Sequence, residues 1–356
     1  MTDMPLRTMP DLPWGRTAIL MAVLMLAALG GWEVFWRSEG FRPSYRGSDG
    51  LWAMQRHLVD RGGRATVTVG SSRTLSDLNL EVWLGETGLR PIQLALEGTN
   101  PRPVIHDLAG DPDFTGLLVV GVTPVLFIAP DTGYRAAAIR RYGSESPSQW
   151  MGQRLSMPLE RVLAFYNFDT ALFTVLKRQT WWPVRSGVES GPRLVRKLFN
   201  YRITRQADLW LKLDDDPAYA ALVQDIWRDF LYAEHEVPPP EVQREQFTQL
   251  MDDLRVDVEA IRGRGGEVVF FRAPSGGEFR DVERDAFPRE KVWDAIVEGV
   301  DAVGVHFEDY PELQGMSLPE WSHMSSRDSP RYTRALVGII RRQLAARGIE
   351  RQEFTP

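Results

Sequence analysis

The sequence predicts an α/β fold built on a doubly wound parallel sheet, and three observations carry that prediction. Five short β-forming runs alternate with helix-periodic segments along the chain. One of them, Gly116 to Val122 (GLLVVGV), is apolar nearly throughout, as a strand buried on both faces must be. A twenty-residue apolar run precedes them all, long enough to cross a membrane.

Composition agrees with a globular core and removes several functions. The 356 residues are 43% apolar, 10% aromatic and 25% charged. A net charge of −6 argues against nucleic acid as the main partner, because phosphate binding needs a basic face. There are no cysteines, so disulfides, thiolate catalysis and cysteine-ligated zinc are excluded. No residue spacing implies a metal or another cofactor: LDDDP (Leu213 to Pro217) lacks the alternating ligands and glycine of a calcium loop and reads as a helix start with acidic capping.

The elements follow in order. Residues 1–16 form a short tail. Residues 17–36, TAILMAVLMLAALGGWEVFW, carry one charge, Glu33, near their end. At 1.5 Å per residue they span about 30 Å, with Trp14, Trp32 and Trp36 at the belt positions. A cleavable signal peptide is the rival, since Ala28 to Gly31 (ALGG) offers small residues, but the apolar run continues past that point and favours an uncleaved anchor. The arginines on the two sides do not fix its orientation. Residues 37–47 read as a linker and 48–356 as the main domain. Leu51 to Asp60 reads as a helix. Strands are expected at Thr66 to Val69, Pro91 to Leu96, Gly116 to Val122, Glu267 to Phe271 and Ala302 to Phe307, and a last helix at Pro330 to Arg347. The expected arrangement is flavodoxin-like, a three-layer α/β/α domain around a five-stranded parallel sheet.

Residues 133–240 interrupt this alternation with helix-periodic, aromatic-rich sequence of little β character, a helical insertion beside the C-terminal edge of the sheet. Trp181, Trp182 and Trp227 can line a glycan- or lipid-facing groove or form the insertion's own core, the core reading being the simpler.

In open α/β sheets, function gathers at the C-terminal strand ends. The first such end supplies Gly70, Ser71, Ser72 and Arg73. A serine there sits beside a helix N-terminus, which favours developing negative charge, but it needs a base and the base needs an acid. As an alternative, Thr74 and Asp77 make a capping-box-like helix start, with Ser72 a turn residue. Five histidines are available. His57 reads as surface or packing, His106 as a residue of the helix after the second strand, His235 as a helix-end residue and His306 as part of the last strand. His323 differs: it lies in a polar loop before the last helix, three residues after Glu320.

These residues resemble the sequence blocks of the SGNH/GDSL hydrolase superfamily, in particular the membrane-anchored SGNH-like proteins of bacterial cell-surface polysaccharide O-acylation. The first block, Gly-Asp-Ser, is matched by Gly70-Ser71-Ser72, with Ser71 for the aspartate and Ser72 at the nucleophile position. The last, Asp-x-x-His, is matched by Glu320-Trp321-Ser322-His323 with glutamate for aspartate. Gly98 fits the second block. The third, Gly-x-Asn-Asp, is not matched: Gly121-Val122-Thr123-Pro124 lacks the asparagine, so Asn100 or Thr123 stands in as candidate donor.

The resemblance implies acyl transfer, with Ser72 as nucleophile, His323 as base, Glu320 as its orienting acid, and the oxyanion held by backbone N–H groups of Ser72 and Gly98 with Asn100. It also implies acyl groups, acetyl foremost, on a polysaccharide as substrate, no cofactor, a multi-spanning membrane O-acyltransferase as partner, and a single-pass location in the bacterial inner membrane with the domain in the periplasm or outside the cell. The alternative is a non-catalytic SGNH-like glycan-binding or scaffold subunit of an exopolysaccharide complex, suggested by the unmatched third block.

Overall fold

The computed structural model describes residues 13–351 apart from 63, 131–132, 134–135, 180–195 and 234–238, together with residue 354. The chain forms a mixed α/β fold around five parallel strands: β1 (Thr66–Val69), β2 (Ile92–Gln93), β3 (Leu117–Gly121), β6 (Glu267–Arg272) and β7 (Val303–His306). Two further strands, β4 (Phe199–Tyr201) and β5 (Ala207–Leu209), lie between β3 and β6 in sequence. The sheet order is β2-β1-β3-β6-β7. Register pairs include Val67 with Ile92, Val67 with Leu118, Val119 with Val269 and Phe271 with Val305.

The pleat sends alternate side chains to opposite faces, and both faces are apolar. Val67, Val69, Leu118, Val120, Val268 and Phe270 join one buried cluster with residues of the helices Asp49–Gly62 and Pro240–Gly263. Leu117, Val119, Val269, Phe271, Val303 and Val305 join a second, which includes Leu336, Ile340 and Leu344 of the last helix, Ser329–Ala346. Each buried aliphatic side chain contributes roughly 1.5–3 kcal/mol by transfer. Trp52 also satisfies its one polar group, its indole N–H donating to the Leu94 carbonyl at 2.9 Å.

All five expected strands form: β1 with the bounds read, β3 and β7 one residue shorter at each end, β6 one residue longer, and the second reduced to Ile92–Gln93. The 133–240 insertion departs from expectation by carrying β structure. β4 and β5 pair antiparallel, Asn200 opposite Asp208, and Tyr45 bridges to Tyr201. Three-residue strands such as Phe-Asn-Tyr are too short to show a period in sequence. Leu198, Leu209, Leu213, Ala220 and Val223 form the insertion's core, with Trp227 packed on it. Asp216 caps the helix Pro217–Leu231, accepting N–H bonds from Ala218 and Tyr219 at 3.1 Å each. Trp181, Trp182 and His235 lie outside the described residues.

Among the described residues one helix, Trp14–Ser38, is long and apolar enough to cross a membrane. It runs two residues past the expected end. Glu33, the charge inside the apolar run, is met by Arg37 at 2.6 Å and by the N–H groups of Ala164 and Phe165 at 2.9 and 3.0 Å.

Candidate active site

The site begins with the turn after β1. Gly70 has φ +152°, and a Cβ there would lie 2.0 Å from the Thr74 hydroxyl. A Cβ on Gly121, at the end of β3, would lie 1.8 Å from the same oxygen. Two glycines therefore let the helix Ser72–Asp77 pack its Thr74 between neighbouring strand ends. Ser71 caps this helix, accepting from the Arg73 N–H at 3.4 Å. The capping box expected from Thr74 and Asp77 does not form, because the helix already starts at Ser72. Ser72 is thus the first helical residue, partly exposed where its neighbours are buried.

The loop holding His323 reaches the same place. His323 Nε2 lies 2.8 Å from Ser72 Oγ, and His323 Nδ1 lies 2.8 Å from Glu320 Oε1. The same Glu320 oxygen accepts the His323 backbone N–H at 2.5 Å. Glu320 Oε2 accepts the indole N–H of Trp227. Glu320 is fully buried and His323 is 2% exposed. An ionised carboxylate only accepts hydrogen bonds, so Nδ1 carries the ring proton and Nε2 presents its lone pair to the Ser72 hydroxyl.

The insertion holds this loop from one side. Gln224, Trp227 and Arg228 share one face of the helix Pro217–Leu231. Gln224 donates to the Pro319 carbonyl at 2.8 Å, Trp227 to Glu320, and the Arg228 guanidinium lies 4.8 Å over the Trp321 ring. Trp321 has φ +71°, a conformation costly for a bulky residue and held here by packing against Gly277, where a Cβ would meet the indole at 2.5 Å. Phe199 of β4 meets the His323 ring edge-on at 5.0 Å. The loop is also tied to the segment before that helix, Ser325 donating to Asp214 at 2.8 Å and Arg327 pairing with Asp215 at 2.8 Å.

Compared with protein-family models, curated proteins and solved structures, the chain gives no significant match. The site therefore speaks through its geometry.

The remaining sequence candidates divide. Leu96 donates its N–H to the Gly70 carbonyl at 3.0 Å, which carries the following turn, with Gly98 at φ +63°, alongside the end of β1. Asn100 takes part in a turn. Its amide donates to the Ala129 carbonyl at 2.8 Å and its carbonyl accepts the Arg102 N–H at 2.9 Å, an Asx-type turn that opens the helix Arg102–Ala109. One of its two amide N–H groups and its carbonyl oxygen are engaged in this turn. The Thr123 hydroxyl lies 2.7 Å from that of Ser71, the residue before Ser72.

The other histidines are occupied in other ways. His57 and His106 pair with Asp60 and Asp257 at 3.0 and 2.9 Å. Burial pushes the His306 imidazole down to about 3, and its Nδ1 accepts the Glu308 N–H.

Three contributors were not singled out from sequence as parts of the site. Arg73 pairs with Glu283 at 2.7 Å and reaches the Ser322 hydroxyl at 3.4 Å, tying the Ser72 helix to the His323 loop. Asp77, fully buried, accepts the Met324 N–H at 3.0 Å and the Ser76 hydroxyl at 2.8 Å. Burial raises its carboxyl to about 6, against the lowering pull of His323 and these donors. Trp227 supplies the third donor to Glu320. A polar residue six positions into the Ser72 helix was the one sequence signal for Asp77; the other two depend on pairings between distant segments.

Proposed function

We propose that the chain is a membrane-anchored SGNH-type serine acyl-esterase or O-acyltransferase, acting on acyl groups, acetyl foremost, of a bacterial surface or secreted polysaccharide. The observation that supports it is the unbroken chain of hydrogen bonds from Ser72 through His323 to Glu320. In this reading Ser72 Oγ attacks the ester carbonyl while Nε2 takes its proton. The tetrahedral intermediate collapses as Nε2 returns that proton to the leaving alkoxide, leaving an acyl-Ser72. Water or a sugar hydroxyl, deprotonated by the same nitrogen, then releases the acyl group. Glu320 holds the imidazole and supports its transient positive charge. The Ser72 and Gly98 N–H groups are the oxyanion donors in this reading, and the Thr123 hydroxyl, bonded to that of Ser71 at 2.7 Å, is a side-chain candidate.

The strand order supports a flavodoxin-like three-layer reading of the domain, with Ser71 and Thr123 at the switch between β1 and β3 where ligands bind in such sheets. The helix Trp14–Ser38 is read as a single-pass inner-membrane anchor with the domain in the periplasm or outside the cell, and a membrane O-acyltransferase as acyl-supplying partner. Polysaccharide and partner rest on the sequence resemblance.

The unmatched third block, Gly121-Val122-Thr123-Pro124, favours a second reading, a non-catalytic glycan-binding or scaffold subunit. A fluorophosphonate probe separates the two. Labelling of the full chain that is lost in Ser72→Ala supports the enzyme. An unlabelled wild-type chain that binds glycan equally well with and without Ser72→Ala sinks it.

A further inference from the structure

The helix Pro147–Val162 is built inside out for a protein surface in water. Its buried residues are polar: Gln153 accepts from the Ser48 hydroxyl at 2.8 Å, and Glu160 accepts the Arg46 N–H at 3.1 Å. Its outward face carries Met151, Leu155, Leu159 and Val162, spaced i, i+4, i+8 and i+11 and therefore in one stripe. The short helix that follows, Leu172–Lys177, repeats the inversion, with Thr174 buried and Leu172, Phe173 and Leu176 exposed. Leu155 is 65% and Phe173 77% exposed, which is the accessibility of residues with no protein cover. Apolar surface gathered on this scale marks an interface rather than scattered exposure.

The membrane helix says what covers it. Glu33 accepts the Ala164 and Phe165 N–H groups, and Arg37 donates to the Val162 carbonyl at 2.8 Å, so the backbone linking the two inverted helices is bonded to the last turns of Trp14–Ser38. Those turns are the level at which a helix of this length leaves the hydrocarbon. Trp150, with Arg154 stacked 3.7 Å over its ring, adds the aromatic and cationic character of an interfacial segment.

We propose that the 147–177 part of the insertion is a monotopic membrane seat, its apolar stripe lying in the headgroup and upper acyl region of the bilayer beside the anchor. The proposal rests on the reading of Trp14–Ser38 as a membrane span. With a span and a seat the domain has two attachments, and the Ser72 site is held at one height and orientation above the lipid, where membrane-linked or membrane-delivered substrates arrive.

The absence of native cysteines makes the test direct. The full chain, as the single-cysteine variants Leu155→Cys, Phe173→Cys, Val23→Cys and Leu89→Cys, is nitroxide-labelled and reconstituted in phosphatidylethanolamine and phosphatidylglycerol vesicles. Collision of the label with oxygen, which partitions into lipid, is then compared with collision with a water-soluble nickel chelate. Labels at 155 and 173 are expected to favour oxygen several-fold over the label at 89, and to lie shallower than the label at 23. Nickel-dominated signals at 155 and 173, with 23 still in lipid, overturn the seat and leave the anchor standing. Shielding of 155 and 173 from both reagents also overturns it, by showing a protein cover such as a second copy. A nickel-dominated signal at 23 removes the anchor and the seat together.

Discussion

Two buried glutamates hold the two halves of the Ser72 site, and they are satisfied in opposite ways. Glu283 meets two guanidinium groups, Arg73 at 2.7 Å and Arg272 at 3.0 Å, and the Ser275 hydroxyl at 2.6 Å. Burial alone would raise its carboxyl, but the Arg73 and Arg272 charges outweigh it and hold Glu283 below the usual carboxylate range. Glu320 is as deeply buried, yet its partners are the neutral N–H groups of Trp227 and the His323 backbone, and the imidazole itself. A carboxylate between fixed cations has its charge already compensated and fastens structure together. One held only by dipoles keeps its charge available for the imidazolium that the proposed reaction would form.

The same substitution at both positions tests this contrast most severely. Glu320→Gln is expected to reduce kcat by on the order of 10⁴, because the amide presents a donor to Nδ1 and favours the wrong tautomer. Its stability should fall by about 1–3 kcal/mol, for one mismatched hydrogen-bond pair. Glu283→Gln leaves two buried guanidiniums under-compensated and is expected to cost about 3–5 kcal/mol of stability, while the correctly folded fraction keeps its kcat within about tenfold. Hydrolysis of a p-nitrophenyl ester alongside denaturant unfolding in detergent reads both quantities. If the two variants lose rate equally, the contrast is void.

The same contrast explains how far the sequence was legible. β3 and β6 announced themselves because strands buried on both faces are near-continuous apolar runs, and β1, Thr-Val-Thr-Val, by its β-branched residues. Ser72 and the Glu320-His323 pair were findable because each motif is local, and the sheet order brings them to one edge. β2 proper is only Ile92–Gln93, but the chain stays beside β1 through Leu94 and Leu96, whose N–H groups bond the Thr68 and Gly70 carbonyls, before Thr99 closes a turn on the Leu96 carbonyl. The links of Trp227 to Glu320 and Arg73 to Glu283 join residues 93 and 210 positions apart, and no local pattern encodes such a pair. Asn100 is ambiguous for the complementary reason: asparagine before Pro-Arg suits an Asx turn as well as it suits an oxyanion donor.

Asp77 sharpens the comparison as a third carboxylate, one whose burial outweighs its donors. Its Oδ2 has no hydrogen-bond partner among the described residues. With the folded carboxyl near 6 against an ordinary value of about 4, the folded chain holds this proton more tightly than the unfolded chain does. Its contribution to stability is therefore greatest below about pH 4, declines as pH rises towards 6, and is flat above. Asp77→Asn should remove that decline. The variant is expected to gain on the wild type by on the order of 1–3 kcal/mol between pH 4 and pH 7, read as the difference of their unfolding curves. A difference that shrinks with rising pH would show that Asp77 is held ionised, as Glu283 is.

Trp227→Phe makes the smallest change and isolates what a neutral donor does for Glu320. The ring still fills its place beside Phe279 and His323, at 5.9 and 6.3 Å, and one N–H is lost. A hydrogen bond to a charged group is worth about 1.5–3 kcal/mol in stability, but Oε1 keeps both His323 contacts, so only part of that loss reaches the reaction. About a tenfold fall in kcat is expected, equivalent to about 1.4 kcal/mol, with KM unchanged because Trp227 orients the acid rather than the substrate. A rise in KM at constant kcat would move Trp227 to the substrate side of the site. A lower melting temperature at unchanged kcat would make it packing alone, and Glu320 would then be held well enough by His323 itself.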